Sequence, residues 1–339
     1  MAESDQPLGV LGGKPVSWQG FKNWEERAQR IATMLRQRQE QIRYVGVAGD
    51  YALGDVYGAS VVTLVVFFHD WRPDYTIGPV QAMEEMPVAL DWVTDAYLVE
   101  VQPALEDDLR AHRLATLKPL LTLDRVVRDV LVDFRDQYFG HEERAARVER
   151  LLGQALQRLS RYEEEGTAVD AVEAFLWGYG PALCHLVDEP PSTRRLLQRF
   201  SGAARVLRMR PLAEATAEVF GLNGRDPAVV MADVEALRSL AEAHVRQTRS
   251  EAIGGLAPLW ASDLAKAGQA SRVLSEAGDE AGAVFAALSA ATTIDTRTEG
   301  EVPGLREQTA YRELAQRIFG SPDVAVLRHA IYEVKALGR

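Results

Sequence analysis

Hydrophobic and polar positions follow a helical period near the start of the chain. Trp24, Ala28 and Ile31 recur at spacings of three or four within residues 23–41, and charged residues fill the positions between them. This pattern predicts an amphipathic helix. Residues 42–48 (IRYVGVA) then form a short β-branched run that ends at a glycine, which predicts a strand.

The next apolar run has a different pattern. Nearly every position of residues 60–68 (SVVTLVVFF) is apolar, which predicts a strand that is covered on both faces and lies in the middle of a sheet. Further strands are predicted at residues 96–102 (AYLVEVQ) and within residues 118–125 (KPLLTLDR), where a short strand runs into a turn. The N-terminal part is therefore predicted to form a sheet with helices.

From residue 129 to the C-terminus the pattern is helical almost throughout. Residues 142–163 carry one continuous apolar stripe. Thr167 and Asp170 have the spacing of a capping box, and Asp226-Pro227 and Ser321-Pro322 have the order of an N-cap followed by a proline at the first helical position.

Two stretches of the helical part are predicted as loops, Pro190-Pro191 and residues 295–304 (DTRTEGEVPG). The fold class that follows is α+β, with a mixed sheet and helices before an all-helical part. We predict a flexible leader at residues 1–19, a first domain at 20–135 and a helical domain at 136–339 that has room for two subdomains.

Composition narrows the function classes. The 339 residues include 38 Lys plus Arg and 49 Asp plus Glu, so the formal charge is −11 and nucleic acid is an unfavourable partner. Cys184 is the single cysteine, so no intrachain disulfide can form and a cytoplasmic location is expected. The longest apolar run is far shorter than the ~20 residues of a membrane-spanning helix, so we expect no membrane span.

A glycine motif connects the two predicted strands at residues 42–48 and 60–68. It reads Gly49-Asp50-Tyr51-Ala52-Leu53-Gly54-Asp55 and is followed by the apolar strand. A helix, a strand, this motif and a second strand resemble the opening of the nucleotidyltransferase superfamily. The chain looks like its small bacterial members that modify antibiotics, which also carry a helical bundle after the sheet.

The resemblance implies a particular chemistry. Nucleotidyl transfer places a polyphosphate and an attacking hydroxyl around Mg²⁺, an ion that takes oxygen ligands and often works as a pair. Two aspartates separated by one residue on a strand point to the same face, so a D-x-D motif presents both carboxylates to the same metal ions. A neighbouring strand supplies a third acid, and the glycine loop contacts the phosphates.

This chain departs from the family pattern at the residues that carry the chemistry. Val61 and Thr63 stand where the two metal-binding aspartates would be. Asp50 stands where a phosphate-facing serine is usual, and its charge would repel a phosphate. Glu100 is the candidate for the third acid, with a surface acid on an edge strand as the alternative.

Two functions remain open at this point. The first is a nucleotidyltransferase-like protein that has lost metal-dependent catalysis, needs no cofactor and binds an unknown small molecule or a protein. Its remnant pocket would contain Val61, Thr63 and Glu100, and its remnant nucleotide loop Gly49, Asp50, Gly54 and Asp55. The second is an active enzyme that uses Mg²⁺ and ATP to transfer a nucleotide to a small hydroxylated, aminoglycoside-like acceptor. The apolar helix stripes are compatible with a homodimer.

Overall fold

The chain is an α+β protein with a five-stranded mixed sheet followed by many helices. A computed structural model describes residues 23–54, 56, 60–69, 80–94, 104–105, 108–189 and 195–338. The predicted leader, the predicted strand at 96–102 with Glu100, and also Asp55 and Pro190-Pro191 lie outside the described residues. Two units, Met1–Glu143 and Arg144–Arg339, each have their own core.

The sheet of the first unit has the strand order β3-β4-β2-β1-β5. In chain order its strands are β1 (Ile42–Ala48), β2 (Val62–Phe68), β3 (Gln81–Met83), β4 (Met86–Thr94) and β5 (Lys118–Thr122). β2 pairs antiparallel with β1 and parallel with β4. The predicted central position of the second apolar run is therefore confirmed.

β2 is buried on both faces, as its composition predicts. Its even-numbered residues, Val62, Leu64 and Val66, share a core with helix α1 (Trp24–Arg38). Its odd-numbered residues Val65 and Phe67 belong to a second core. That core also holds apolar side chains of helices α3 (Asp108–Ala115) and α4 (Arg125–Phe139).

Helix α2 (Asp50–Leu53) is a single turn after β1. The predicted strand at 118–125 ends at Thr122, because Asp124 caps α4 by accepting a 2.8 Å hydrogen bond from the Val126 N–H. The hairpin of β3 and β4 was not predicted. Its two-residue turn has left-handed backbone at Glu84 (φ 49°) and Glu85 (φ 62°), although glycine and asparagine are the usual residues there.

Helices make up the second unit. They are α5 (His141–Glu165), α6 (Ala168–Ala174), α7 (Gly180–Leu186), α8 (Leu196–Val206), α9 (Arg210–Val219), α10 (Pro227–Thr248), α11 (Ile253–Glu276), α12 (Glu280–Glu301), α13 (Thr309–Phe319) and α14 (Val324–Leu337). A π-helical turn at Phe175–Tyr179 joins α6 to α7. No helix among the described residues has the length and apolar character that crossing a membrane requires.

The predicted loop at residues 295–304 is wrong for most of its length, because α12 continues to Glu301. Asp295 and Thr298 are fully buried on the inner face of α12. The Thr298 hydroxyl donates a 2.7 Å hydrogen bond to the Ile294 carbonyl, and Asp295 pairs with Arg306. The polar side chains of Asp295 and Thr298, which suggested a loop, are therefore buried and paired.

Two predicted helix caps are also wrong. Thr167 is the N-cap of α6, but its side chain makes no capping hydrogen bond, and Asp170 pairs with Arg161 instead. The last helix begins at Val324 rather than after Ser321, because Asp323 accepts hydrogen bonds from the N–H groups of Ala325 and Val326. By contrast Asp226 caps α10 as predicted, by accepting from the Ala228 N–H at 2.8 Å.

Candidate functional site

The glycine motif forms a tight turn between β1 and β2. Gly49 has φ 71° and ψ −150°, and Gly54 has φ 73° and ψ 15°, both in regions that L-residues rarely adopt. The Gly54 N–H donates to the Asp50 carbonyl and ends the single helical turn. Both glycines are therefore required by the backbone of the turn, whatever ligand the loop binds.

Asp50 begins this helical turn, and its carboxylate is held in place. The Ser60 hydroxyl donates a 2.7 Å hydrogen bond to Asp50 Oδ2. The neighbouring Tyr51 is buried against Trp24, with 5.0 Å between the ring centroids. Burial raises the pKa of the Tyr51 hydroxyl, and the Asp50 charge raises it further. The loop thus presents a fixed carboxylate where the family resemblance would place a serine.

Apolar side chains occupy the place of the first metal-binding aspartate. Val61, Val80 and Ala89 form a small buried cluster in which each residue is at most 5% exposed. Thr63 is half-buried and lies between Ala48 on β1 and Ala89 on β4 in the strand register. The residue opposite Thr63 on β4 is therefore an alanine, which has no donor atom for a metal ion.

Asp91 is the acid that β4 carries on this face of the sheet. It is two residues along β4 from Ala89 and lies opposite Val65 in the register. Arg110 contacts Asp91 Oδ1 at 3.2 Å and Arg113 contacts Asp91 Oδ2 at 3.5 Å. Two guanidinium groups thus neutralise the carboxylate and oppose the approach of a cation.

Arg110 is almost fully buried. Burial, and to a smaller extent the charge of Arg113, lowers the pKa of its guanidinium to about 9. It therefore remains protonated at neutral pH. Sequence reasoning missed this cluster because it missed β4, although a single aspartate inside the apolar run MPVALDWVT is the signal of a buried, paired acid.

The described residues do not fit a catalytic magnesium site. Mg²⁺ needs several oxygen ligands in near-octahedral geometry. No group of three or more His, Cys, Asp or Glu within the described ranges could hold a metal ion. Of the predicted site residues, Asp50 accepts a hydrogen bond from Ser60, and Val61 packs in one cluster with Ala89. Glu100 and Asp55 lie outside the described part of the chain.

The helical unit contains a buried charged cluster of its own. Asp295 is fully buried and pairs with Arg306, and Asp170 pairs with Arg161 at 3.2 Å. Burial raises the pKa of Asp170 to about 6, while the charges of Arg306 and Arg161 oppose this shift. The cluster lies among the packed helices of this unit, where unpaired charges are costly.

Comparisons with known proteins establish no family. No family model matches the chain, and no curated protein matches it. Among solved structures, a nucleotidyltransferase-like protein from Exiguobacterium sibiricum 255-15 aligns over 86% of this chain and 87% of its own length. The identity is 14% and the TM-score 0.29, and at that score the likeness establishes neither family nor activity.

Proposed function

We propose that the chain is a nucleotidyltransferase-like protein that does not catalyse metal-dependent nucleotidyl transfer and acts as a binding or regulatory protein. The observation that carries the proposal is the apolar cluster of Val61, Val80 and Ala89. By the motif resemblance, position 61 is that of the first metal-binding aspartate. A divalent cation placed against this cluster would lose its hydration without gaining oxygen ligands.

Charge around the motif supports the same proposal. The Asp50 carboxylate lies at the start of the helical turn, where it would repel the oxygens of a nucleotide phosphate. The nearby carboxylate of Asp91 is paired with Arg110 and Arg113. Neither acid is therefore positioned to hold a cation that bridges to a triphosphate.

Isothermal titration of the full chain with ATP, with and without Mg²⁺, tests the proposal. We expect no Mg²⁺-dependent nucleotide binding. Tight binding of ATP that requires Mg²⁺ would contradict the proposal and would favour the active transferase. A parallel assay for pyrophosphate release with aminoglycoside acceptors should give no product above the rate without protein.

The double substitution Val61→Asp and Thr63→Asp tests the family resemblance itself. If the motif alignment is correct, the two carboxylates lie on the same side of the chain at the start of β2, and the variant should bind Mn²⁺ where the natural chain does not. The matched control is Val61→Asn with Thr63→Asn, which has the same shape without the charge. Absence of Mn²⁺ binding in a folded aspartate variant would remove the support for the alignment.

A further inference from the structure

A cavity of about 770 Å³ opens in the helical unit, away from the glycine motif in the sequence. Helices α8 and α9 and the start of α12 contribute its lining. The volume is within the range of roughly 300–1,000 Å³ that small-molecule sites occupy. Three arginines, Arg195, Arg205 and Arg210, line it.

The cavity lining thus has three arginines against two acids, Glu214 and Asp279, on a chain whose formal charge is −11. Arg205 is exposed, and the described residues give its side chain no hydrogen bond or ion pair. Arg210 pairs with Glu214 at 2.8 Å, but the two side chains are 83% and 63% exposed. Such an exposed pair is weak because both charges stay solvated, so an incoming anion can replace Glu214 at little cost.

The second acid of the cavity, Asp279, is already engaged. Its Oδ1 accepts a 2.8 Å hydrogen bond from the Gly282 N–H and its Oδ2 accepts a 2.7 Å hydrogen bond from the Gln198 amide. Gln198 in turn accepts from Arg195 Nε at 2.9 Å. Asp279 therefore caps α12 and, through Gln198, helps to position Arg195, while its own negative charge stays in the cavity because both of its donors are neutral.

Two helices also begin at this cavity without a side-chain cap. Arg195 is the N-cap of α8 and Met209 is the N-cap of α9, and neither makes a capping hydrogen bond through its side chain. The first N–H groups of a helix have no partner within the helix, and they favour negative charge. At α8 these groups add donors to the guanidinium groups that line the cavity, whereas at α9 Pro211 has no N–H and the Leu212 N–H already donates to the Met209 carbonyl at 3.0 Å.

We propose that this cavity binds a small molecule that carries a phosphate group. A phosphate has several acceptor oxygens in a tetrahedral arrangement, so it can accept from guanidinium groups and backbone N–H groups that approach from different directions. A long polyanion is disfavoured by the negative charge of the chain as a whole. The proposal is independent of the proposed function, because it uses residues of the helical unit alone.

Isothermal titration of the full chain with inorganic pyrophosphate at low salt tests this proposal. We expect one binding site whose affinity falls as salt is added. Arg205→Gln and Arg210→Gln should each weaken binding by about 2- to 5-fold, because both guanidinium groups are exposed and solvent screens their interaction with an anion. Arg205 has no described side-chain partner, so its replacement should leave thermal stability unchanged.

Arg272→Gln is the matched control, since Arg272 lies on α11 with its side chain 63% exposed and does not line the cavity. This variant should bind pyrophosphate as the natural chain does. The proposal is overturned if the natural chain shows no binding heat. It is equally overturned if both Arg205→Gln and Arg210→Gln retain full affinity, because the anion would then occupy another site.

Discussion

Asp91 on β4 and Arg110 on α3 form a buried ion pair, with 3.2 Å between Arg110 Nη2 and Asp91 Oδ1. Both side chains are at most 3% exposed. The pair connects the sheet to the helix that covers one of its faces. Removal of one partner leaves the other charge buried, and this is far more costly than the loss of an exposed pair.

Asp91→Ala should therefore destabilise the first unit by about 3–5 kcal/mol. Arg30→Ala is the control, because Arg30 and Glu84 form an exposed pair in the same unit, whose loss should cost less than about 1 kcal/mol. Amide hydrogen exchange along β2 measures both effects within this unit. Similar exchange rates in the two variants would contradict the role assigned to the buried pair.

Ser60 fixes the Asp50 carboxylate, and this predicts an asymmetry between two substitutions. Ser60→Ala removes the hydroxyl donor and leaves a half-buried carboxylate without that bond, at a cost of roughly 1.5–3 kcal/mol. Asp50→Asn keeps an acceptor oxygen for the same hydroxyl and should cost less. Urea unfolding of the two variants compares them, and a greater loss in Asp50→Asn would contradict the assigned hydrogen bond.

How far the sequence predicts this protein depends on whether the signal is local. The strand before the motif, β2 and the glycine turn were predicted, because apolar runs and glycines with positive φ are local signals. β4 was missed because Asp91 interrupts its apolar run, and the arginines that neutralise it are 19 or more residues away. A buried polar residue cannot be recognised before its partner is known.

In the helical unit, buried polar residues led to a wrong loop prediction. Residues 295–301 were predicted as a loop because of their polar composition, yet Asp295 and Thr298 are buried. The partner of Asp295 is Arg306, and Thr298 bonds back to its own helix. In the first unit, the apolar cluster around Val61 also contains Val80 and Ala89, and the sequence alone did not place these two residues beside the motif.

Gly178 lies in the π-helical turn and packs closely on α5. A Cβ atom at this position would lie 2.6 Å from the Ala155 Cβ and 3.1 Å from the Ala155 Cα. Gly178→Ala should therefore destabilise the chain by about 1–3 kcal/mol, because the neighbouring backbone must move. Thermal unfolding of the helical unit measures the change.

Gly153 provides the matched control for this substitution. It lies on the exposed side of α5, and a Cβ there would meet nothing within 4 Å. Gly153→Ala should stabilise the chain by roughly 0.5–1 kcal/mol, since alanine loses less backbone entropy in a helix. Equal effects of the two alanines would show that the contact with Ala155 does not constrain the turn.

The raised pKa of Asp170 predicts that the stability of the folded chain depends on pH. Its side chain is 2% exposed, and burial raises its pKa from the usual 3.8 to about 6, against the opposing charges of Arg306 and Arg161. Between these two pKa values the folded chain binds more protons than the unfolded chain. The Asp170 contribution to stability is therefore most favourable below pH 4 and is lost as the pH rises through 6.

Asp170→Asn removes this titration, so a comparison with the natural chain isolates it. A shift of about two pKa units corresponds to roughly 3 kcal/mol. The free energy of unfolding of the natural chain, relative to that of Asp170→Asn, should fall by about this amount between pH 4 and pH 7 and stay constant above. Chemical unfolding at a series of pH values measures the difference. A difference that stays flat, or rises with pH, would mean that the Asp170 carboxyl is already ionised in the folded chain at pH 4.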